Sequence, residues 1–87
     1  MNLNPIKVNM TELDLGNGTR VLFSYRTPVA ARILTPKGME YHVTDRFYSV
    51  TTSRHINNWM PKEDRIEHSQ EYFDSLIVGD VSPQGDK

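Results

Sequence analysis

The feature that most constrains the fold is a change of hydrophobic period near the middle of the chain. Before residue 50, large apolar side chains alternate with polar ones, as at Val21, Phe23 and Tyr25, which is the period of a strand with one buried face. After it, Ile56 and Met60 lie four residues apart, on one side of a helix. We therefore predict an α+β domain, with an antiparallel sheet of four to five short strands followed by a short helix and a longer C-terminal amphipathic helix.

Turn signals divide the first half of the chain into strands. Gly16-Asn17-Gly18 lies between apolar residues and readily adopts the positive φ angles of a tight hairpin. Pro28 removes a ladder donor and predicts a turn or bulge, and Pro36-Lys37-Gly38 predicts a second turn. The predicted strands form a sequential meander and cover residues 12–15, 19–25, 29–35 and 39–44, with a further short strand at 47–50.

Two helices are predicted in the second half. Thr51, Thr52 and Ser53 all belong to the class of residues that cap helices, so a short helix should start near Thr52 and run to about Met60. Pro61 breaks it, and a second helix is predicted over residues 62–78, ended by Gly79. Residues 1–79 are then one domain, and residues 80–87 a flexible C-terminal tail.

Length and composition limit the number of domains, the kinds of metal site and the location of the protein. The 87 residues suit one domain with a thin core, and the absence of cysteine excludes disulfides and thiolate metal sites. No apolar run approaches the roughly 20 residues that cross a bilayer, and the N-terminus lacks the apolar core of a signal peptide. We expect a cytoplasmic protein without a membrane partner.

Charge is unevenly distributed along the chain. The net charge is −1, but residues 20–54 carry six cationic side chains against two acidic ones, whereas residues 62–87 carry three against seven. Two interpretations remain open: both faces are simply solvated, or a basic binding face is flanked by an acidic surface that repels unsuitable partners.

The start of the first helix is the candidate site. Unpaired amides at a helix N-terminus attract anions, and here they coincide with hydroxyl, guanidinium and imidazole groups. The candidate binding residues are the five at the helix start and two arginines from the basic segment at 20–54. They are Thr51, Thr52, Ser53, Arg54, His55, Arg46 and Arg32. The alternative is structural: one hydroxyl caps the helix, Arg54 covers the neighbouring acidic helix, and His55 donates a hydrogen bond to a sheet carbonyl and so locks the strand-to-helix junction.

Catalysis has little support in the sequence. The three histidines fall in separate predicted elements, without the i, i+4 spacing of a helical metal pair. Ser53 and His55 are two residues apart and face away from each other on a helix. No glycine-rich phosphate loop occurs. We expect no catalytic constellation, no metal and no cofactor.

Two short segments resemble a known group of proteins. Tyr25-x-Thr27-Pro28-Val29-Ala30 and Thr51-Thr52-x-Arg54-His55-Ile56-Asn57 resemble motifs of a small family of phage and archaeal or viral proteins. The resemblance covers residues 24–59 and brings no activity with it. It implies a phage-type intracellular setting, in which small accessory proteins bind host machinery or nucleic acid.

These observations predict a non-enzymatic binding module that acts on a macromolecular partner, a host or phage protein. The alternative is binding of nucleic acid, or of a phosphate or nucleotide ligand, at the helix start near residues 51–55. A homodimer is also expected if a second copy covers an open sheet face or edge.

Overall fold

The computed structural model describes residues 2–81, with side chains for residues 2–77. Its elements are six strands and two helices: β1 (Asn2–Lys7), β2 (Met10–Asp14), β3 (Thr19–Ser24), β4 (Thr27–Thr35), β5 (Gly38–Thr44), α1 (Val50–Trp59), β6 (Arg65–His68) and α2 (Gln70–Val81). The coarse prediction of a mixed α+β domain with a largely antiparallel sheet is confirmed.

The strands form one sheet in the order of the sequence. Strands β1 to β5 are an antiparallel meander, of which the sequence predicted β2 to β5, and β6 then pairs with β5 in parallel. A parallel pair needs a crossover, and α1 supplies it. The sheet therefore has six strands rather than four or five, and β1 and β6 are its edges.

Both additional strands escaped the sequence prediction because they are edge strands. Every residue of β1 is exposed, so the strand carries no alternating apolar pattern and even contains Pro5, which edge strands tolerate. Its pairing with β2 is set by the hairpin at Val8 and Asn9, where Asn9 takes a positive φ of 61°. Backbone hydrogen bonds to β2 define this strand, and such bonds do not require a particular pattern of side chains.

The prediction of one helix over residues 62–78 is wrong in its first half. Asp64 adopts a positive φ of 59°, which interrupts any helix, and Arg65–His68 then pairs with β5. The second helix starts only at Gln70 and continues past Gly79 to Val81. Residues 82–87, where most of the predicted flexible tail falls, lie outside the described residues.

The predicted strand at 47–50 is also wrong. The chain after β5 is irregular, and α1 begins at Val50, about two residues earlier than predicted. Phe47 and Val50 are exposed. These two apolar residues were therefore mistaken for the buried positions of a strand.

The two helices cover opposite faces of the sheet, and adjacent strand residues such as Val21 and Leu22 of β3 enter different cores. The core under α1 contains Met10, Leu22, Val29, Ala30, Val43, Ile56, Trp59 and Met60. The core under α2 contains Leu13, Val21, Ala31 and Phe73, with half-buried Tyr72, Leu76 and Ile77 beside them. The fold therefore has three layers, with the sheet in the middle.

No helix in the described part of the chain has the length and apolarity to cross a membrane.

Candidate functional site

The start of α1 is capped by Ser49, not by the residues that the sequence indicated. Ser49 is extended, with φ −168°, and its Oγ accepts a hydrogen bond from the Thr52 amide at 3.1 Å. The amide of Ser53 also bonds to the Ser49 carbonyl, at 3.0 Å. Two of the amides expected to attract an anion are therefore satisfied within the helix end itself.

Thr52 and His55 point into the core below α1. Ser24, on β3, lies between them: its Oγ is 2.9 Å from Thr52 Oγ1 and 2.8 Å from His55 Nδ1, and all three residues are buried. His55 therefore joins the helix to the sheet, as the structural alternative expects, but its partner is the hydroxyl of Ser24 and not a sheet carbonyl.

The environment of His55 keeps it neutral near neutral pH. Burial, reinforced by the positive charge of Lys7, lowers the pKa of the imidazole. A neutral imidazole has one donor and one acceptor nitrogen, so it pairs readily with the hydroxyl of Ser24.

The outer side of α1 borders an open groove, which we call the α1–β6 groove. Its volume is about 860 Å³. Ser53 and Asn57 of α1 form one wall, and Glu67 of β6 lies on the other. Of the predicted site residues, Ser53 and Arg46 lie in this groove.

Charges in the groove are balanced. Its lining includes three cationic and three acidic side chains: Arg46, Lys62, Arg65, Asp45, Asp64 and Glu67. Phe47 is also part of the lining and is 72% exposed, which is unusual for so large an apolar side chain. The groove therefore offers both charge signs and an apolar contact.

Arg65 fixes the end of the groove nearest the C-terminus of α1. Its Nε donates to the Pro61 carbonyl at 2.7 Å, and its Nη2 donates to the Met60 carbonyl at 3.2 Å and to Asn57 Oδ1 at 3.1 Å. A guanidinium at this end of a helix satisfies terminal carbonyls and complements the helix dipole. Arg65 thus ties α1 to β6 and holds the groove's shape.

The remaining predicted site residues are separated from one another. Thr51 and Arg54 are exposed on α1. Arg32 lies on β4, with its guanidinium carbon 4.5 Å from the centre of the Trp59 ring. The seven residues therefore divide among the core, the groove, the exposed helix surface and a separate position beside Trp59.

A second polar cluster lies on the α2 face, and no pattern in the sequence indicated it. His42 Nδ1 and His68 Nε2 are 2.7 Å apart, and His42 Nε2 is 3.1 Å from Glu40 Oε1. The ring of Tyr72 stacks on His68 with centroids 3.8 Å apart. Because residue 68 was predicted to be helical, nothing placed it beside residue 42.

The histidine pair is a hydrogen-bonded chain. It is complete when His42 donates through Nε2 to Glu40 and accepts at Nδ1 the proton of His68 Nε2. Burial, and then the adjacent His42, lowers the pKa of His68, and burial with the Glu40 charge raises the pKa of Tyr72. Within the described residues, no three histidine, aspartate or glutamate side chains are placed to hold a metal ion.

The chain belongs to a family of unknown function, DUF8033, whose model matches residues 1–75. The matched region contains the whole sheet, α1 and the α1–β6 groove. No curated protein and no solved structure matches the chain.

Proposed function

We propose that the protein is a non-enzymatic binding module whose α1–β6 groove receives a segment of a partner protein. The observation that carries this proposal is the composition of the groove, in which balanced charges surround the exposed ring of Phe47. Aromatic residues and arginines are enriched at protein interfaces, where they supply most of the binding energy.

The balance of charge in the α1–β6 groove favours a protein partner over a nucleic-acid partner. A phosphate backbone meets a surface with excess positive charge, whereas Asp45, Asp64 and Glu67 offset the cations of this groove. A polypeptide segment carries both signs and can pair with each. Electrostatic complementarity of this kind gives specificity and raises the rate of encounter.

The residues that follow Phe47 in the chain add further apolar and aromatic groups next to the lining of the groove in sequence. Val50 is exposed at the start of α1, and Arg46 lies over the ring of Tyr48, with 5.8 Å between the guanidinium carbon and the ring centroid. The Tyr48 hydroxyl donates to Gln70 Oε1 at 2.7 Å, which holds the ring in place. A preorganised aromatic side chain loses less conformational freedom when a partner binds.

The alternative site at residues 51–55 has less support. Ser49 caps the helix start, and Thr52 and His55 turn toward Ser24, so only part of the proposed anion-binding group faces outward. Our proposal keeps Ser53 and Arg46 as binding residues and does not depend on Thr52, His55 or Arg32.

The resemblance of residues 24–59 to phage and archaeal viral proteins suggests the kind of partner. In that setting the protein acts in the cytoplasm of a host cell, and its partner is a host or phage protein. The family match brings no activity and leaves this part of the proposal to experiment.

The test compares two matched substitutions of exposed apolar residues. Phe47→Asp places a charge in the groove, whereas Val8→Asp places one in the β1–β2 hairpin, at a residue that is 83% exposed. We expect affinity capture from host lysate, followed by mass spectrometry, to recover a protein with the wild type and with Val8→Asp but not with Phe47→Asp. Circular dichroism establishes that both variants are folded.

The result that contradicts the proposal is equally concrete. A partner retained by Phe47→Asp does not use this groove. Recovery that is abolished by nuclease treatment shows that nucleic acid carries the association, and its salt dependence then measures the number of phosphate contacts.

A further inference from the structure

A row of side chains crosses the sheet just beyond the C-terminal end of α1. In register from β2 to β6 it consists of Asp14, Arg20, Arg32, Tyr41 and Arg65. Arg20 and Arg32 are directly opposite on neighbouring strands and point to the same face. Like charges in this position destabilise a sheet unless a counter-charge is near both of them.

Only Arg20 has such a counter-charge among the described residues. Its guanidinium is 3.6 Å from Glu12 Oε2 and 3.9 Å from Asp14 Oδ2, both on the β2 side. No carboxylate of the described residues lies within 4.0 Å of Arg32. The Nε of Arg32 is buried and has no hydrogen-bond partner in the described part of the chain.

Trp59 fixes the position of Arg32. The guanidinium carbon lies 4.5 Å from the indole centroid, and Trp59 Nε1 donates to Glu12 Oε1 at 2.9 Å, so the ring cannot easily swing away. A guanidinium stacked on an aromatic face keeps its edge donors free for a ligand. Arg32 is thus oriented without being neutralised.

A small cavity opens beside the two arginines. It has a volume of about 280 Å³ and is lined by Gly18, Arg20, Arg32, Leu34 and Met39, which we call the arginine pocket. Leu34 and Met39 are exposed. Gly18 has φ +85°, and a Cβ there would lie 3.2 Å from Leu34 Cβ, so a larger residue would crowd this wall.

We propose that the arginine pocket binds a small organic carboxylate with a short apolar chain. Arginine guanidinium groups form strong charge-assisted hydrogen bonds with carboxylates, and a carboxylate between Arg20 and Arg32 offsets their mutual repulsion. Leu34 and Met39 cover the apolar chain. The site is separate from the α1–β6 groove, and this proposal does not depend on the function proposed for that groove.

The only tryptophan of the chain reports directly on the site. Trp59 carries Arg32 on its face, so a ligand that draws the guanidinium changes the indole fluorescence. We expect hexanoate to give a saturable change and to shift the amide resonances of Gly18, Arg32 and Leu34. Hexanol, which has the same chain without the charge, should give neither response.

Inorganic phosphate is the third ligand to be titrated, after hexanoate and hexanol. It has the charge without the apolar chain, so we expect it to bind more weakly than hexanoate. Phosphate binding as tight as that of hexanoate overturns the proposal of a carboxylate ligand. Equal responses to hexanoate and hexanol, or no saturable response to hexanoate, also overturn it.

Substitutions then assign the binding to the arginines. We expect Arg32→Gln to weaken hexanoate binding about 10- to 100-fold, as loss of a charge-assisted hydrogen bond does. Arg26→Gln, in the exposed turn at the other end of β3, is the matched control and should bind like the wild type.

A second pair of variants keeps the test decisive if Arg32→Gln does not fold. Arg20→Gln removes the other cation, and Leu34→Asp sets a repelling carboxylate at an exposed wall of the pocket. Both should reduce hexanoate affinity while melting temperatures stay near that of the wild type. Unchanged affinity in these two folded variants rejects the site.

Discussion

Each face of the sheet carries a histidine network, but the surroundings differ: all three members are buried on the α1 face, whereas on the α2 face His42 is buried, His68 is half-buried and Glu40 is exposed. On the α1 face, His55 bonds to a neutral hydroxyl of Ser24, which also meets Thr52. On the α2 face, His42 bonds to a second histidine, His68, and to the carboxylate of Glu40. The first network joins an imidazole to neutral hydroxyls, whereas the second joins two imidazoles to a carboxylate.

The helices above these networks are also anchored differently. Four side chains of α1 are buried, those of Thr52, His55, Ile56 and Trp59, and the buried Met60 follows directly after the helix. In the described part of α2 only Phe73 is buried, with half-buried neighbours around it. The α1 face thus spreads its packing over several residues, and the α2 face concentrates it on one ring.

This difference bears on the binding proposals. Both the α1–β6 groove and the arginine pocket lie on the α1 face, where the helix is held by several contacts and by Arg65. Binding sites on well-supported elements keep their geometry. Three predictions follow from the contrast between the faces, and they decrease in expected effect.

The first prediction concerns the single anchor of α2. Phe73 is 0% exposed and meets the rings of His68 and Tyr72 edge to face, with centroids 6.3 Å and 5.2 Å away. Phe73→Ala should lower the free energy of unfolding by about 3–5 kcal/mol, because the transfer energy is lost and a cavity remains. Urea denaturation followed by circular dichroism measures the change.

Phe47→Ala is the matched control for this truncation. The Phe47 ring is exposed, so its removal should change the unfolding free energy by less than about 0.5 kcal/mol. Similar losses in the two variants would show that α2 does not depend on one ring and would remove the contrast between the helices.

The second prediction concerns the neutral network on the α1 face. Ser24→Ala leaves His55 Nδ1 buried without its partner and also removes the contact to Thr52. We expect a loss of about 1–3 kcal/mol in unfolding free energy, the usual cost of an unsatisfied buried polar group. Thermal and urea denaturation measure it.

Ser53→Ala provides the comparison on the same face. Ser53 is half-buried in the groove wall, so its substitution should have little effect on stability. If Ser24→Ala were as stable as Ser53→Ala, His55 would not lock the sheet to the helix.

The sequence predicted the elements whose apolar residues alternate. Strands β3 to β5 and the Gly16-Asn17-Gly18 hairpin were visible because one strand face is buried and the turn residues are specific. The edge strands were not, because β1 is wholly exposed and β6 depends on parallel pairing with β5 across about 20 residues of intervening chain. Local propensity cannot encode such a long-range pairing.

The candidate site was located only in part for a related reason. The helix start near residue 50 was found from its hydroxyl residues, but their spacing did not tell which would face the core. Thr52 and His55 point inward because Ser24, distant in sequence, lies below them. The histidine pair was missed because it joins β5 to a strand that the sequence did not predict.

The third prediction uses pH to separate the two networks, and its effect is the smallest because no side chain is removed. The pKa of His68 and that of His55 are lowered in the folded protein, so both imidazoles stay neutral where an unfolded histidine, with a pKa of about 6.5, begins to bind a proton. Their contribution to stability is therefore present above about pH 6.5 and is lost as the pH falls through the folded pKa values.

The α2 face should dominate this loss. Protonation of His68 places a positive charge against the stacked rings of His42 and Tyr72, and the carboxylate of Glu40, which bonds to the other side of His42, offsets this charge only in part; the hydroxyl of Tyr72 stays protonated. We expect His68→Gln, whose amide can still donate to His42 Nδ1, to show a smaller decline in urea midpoint between pH 7.5 and pH 5.5 than the wild type. His55→Gln then measures how much of the residual decline His55 contributes. If the decline were unchanged in His68→Gln but absent in His55→Gln, the titrating network would lie on the α1 face, and the comparison between the faces would be reversed.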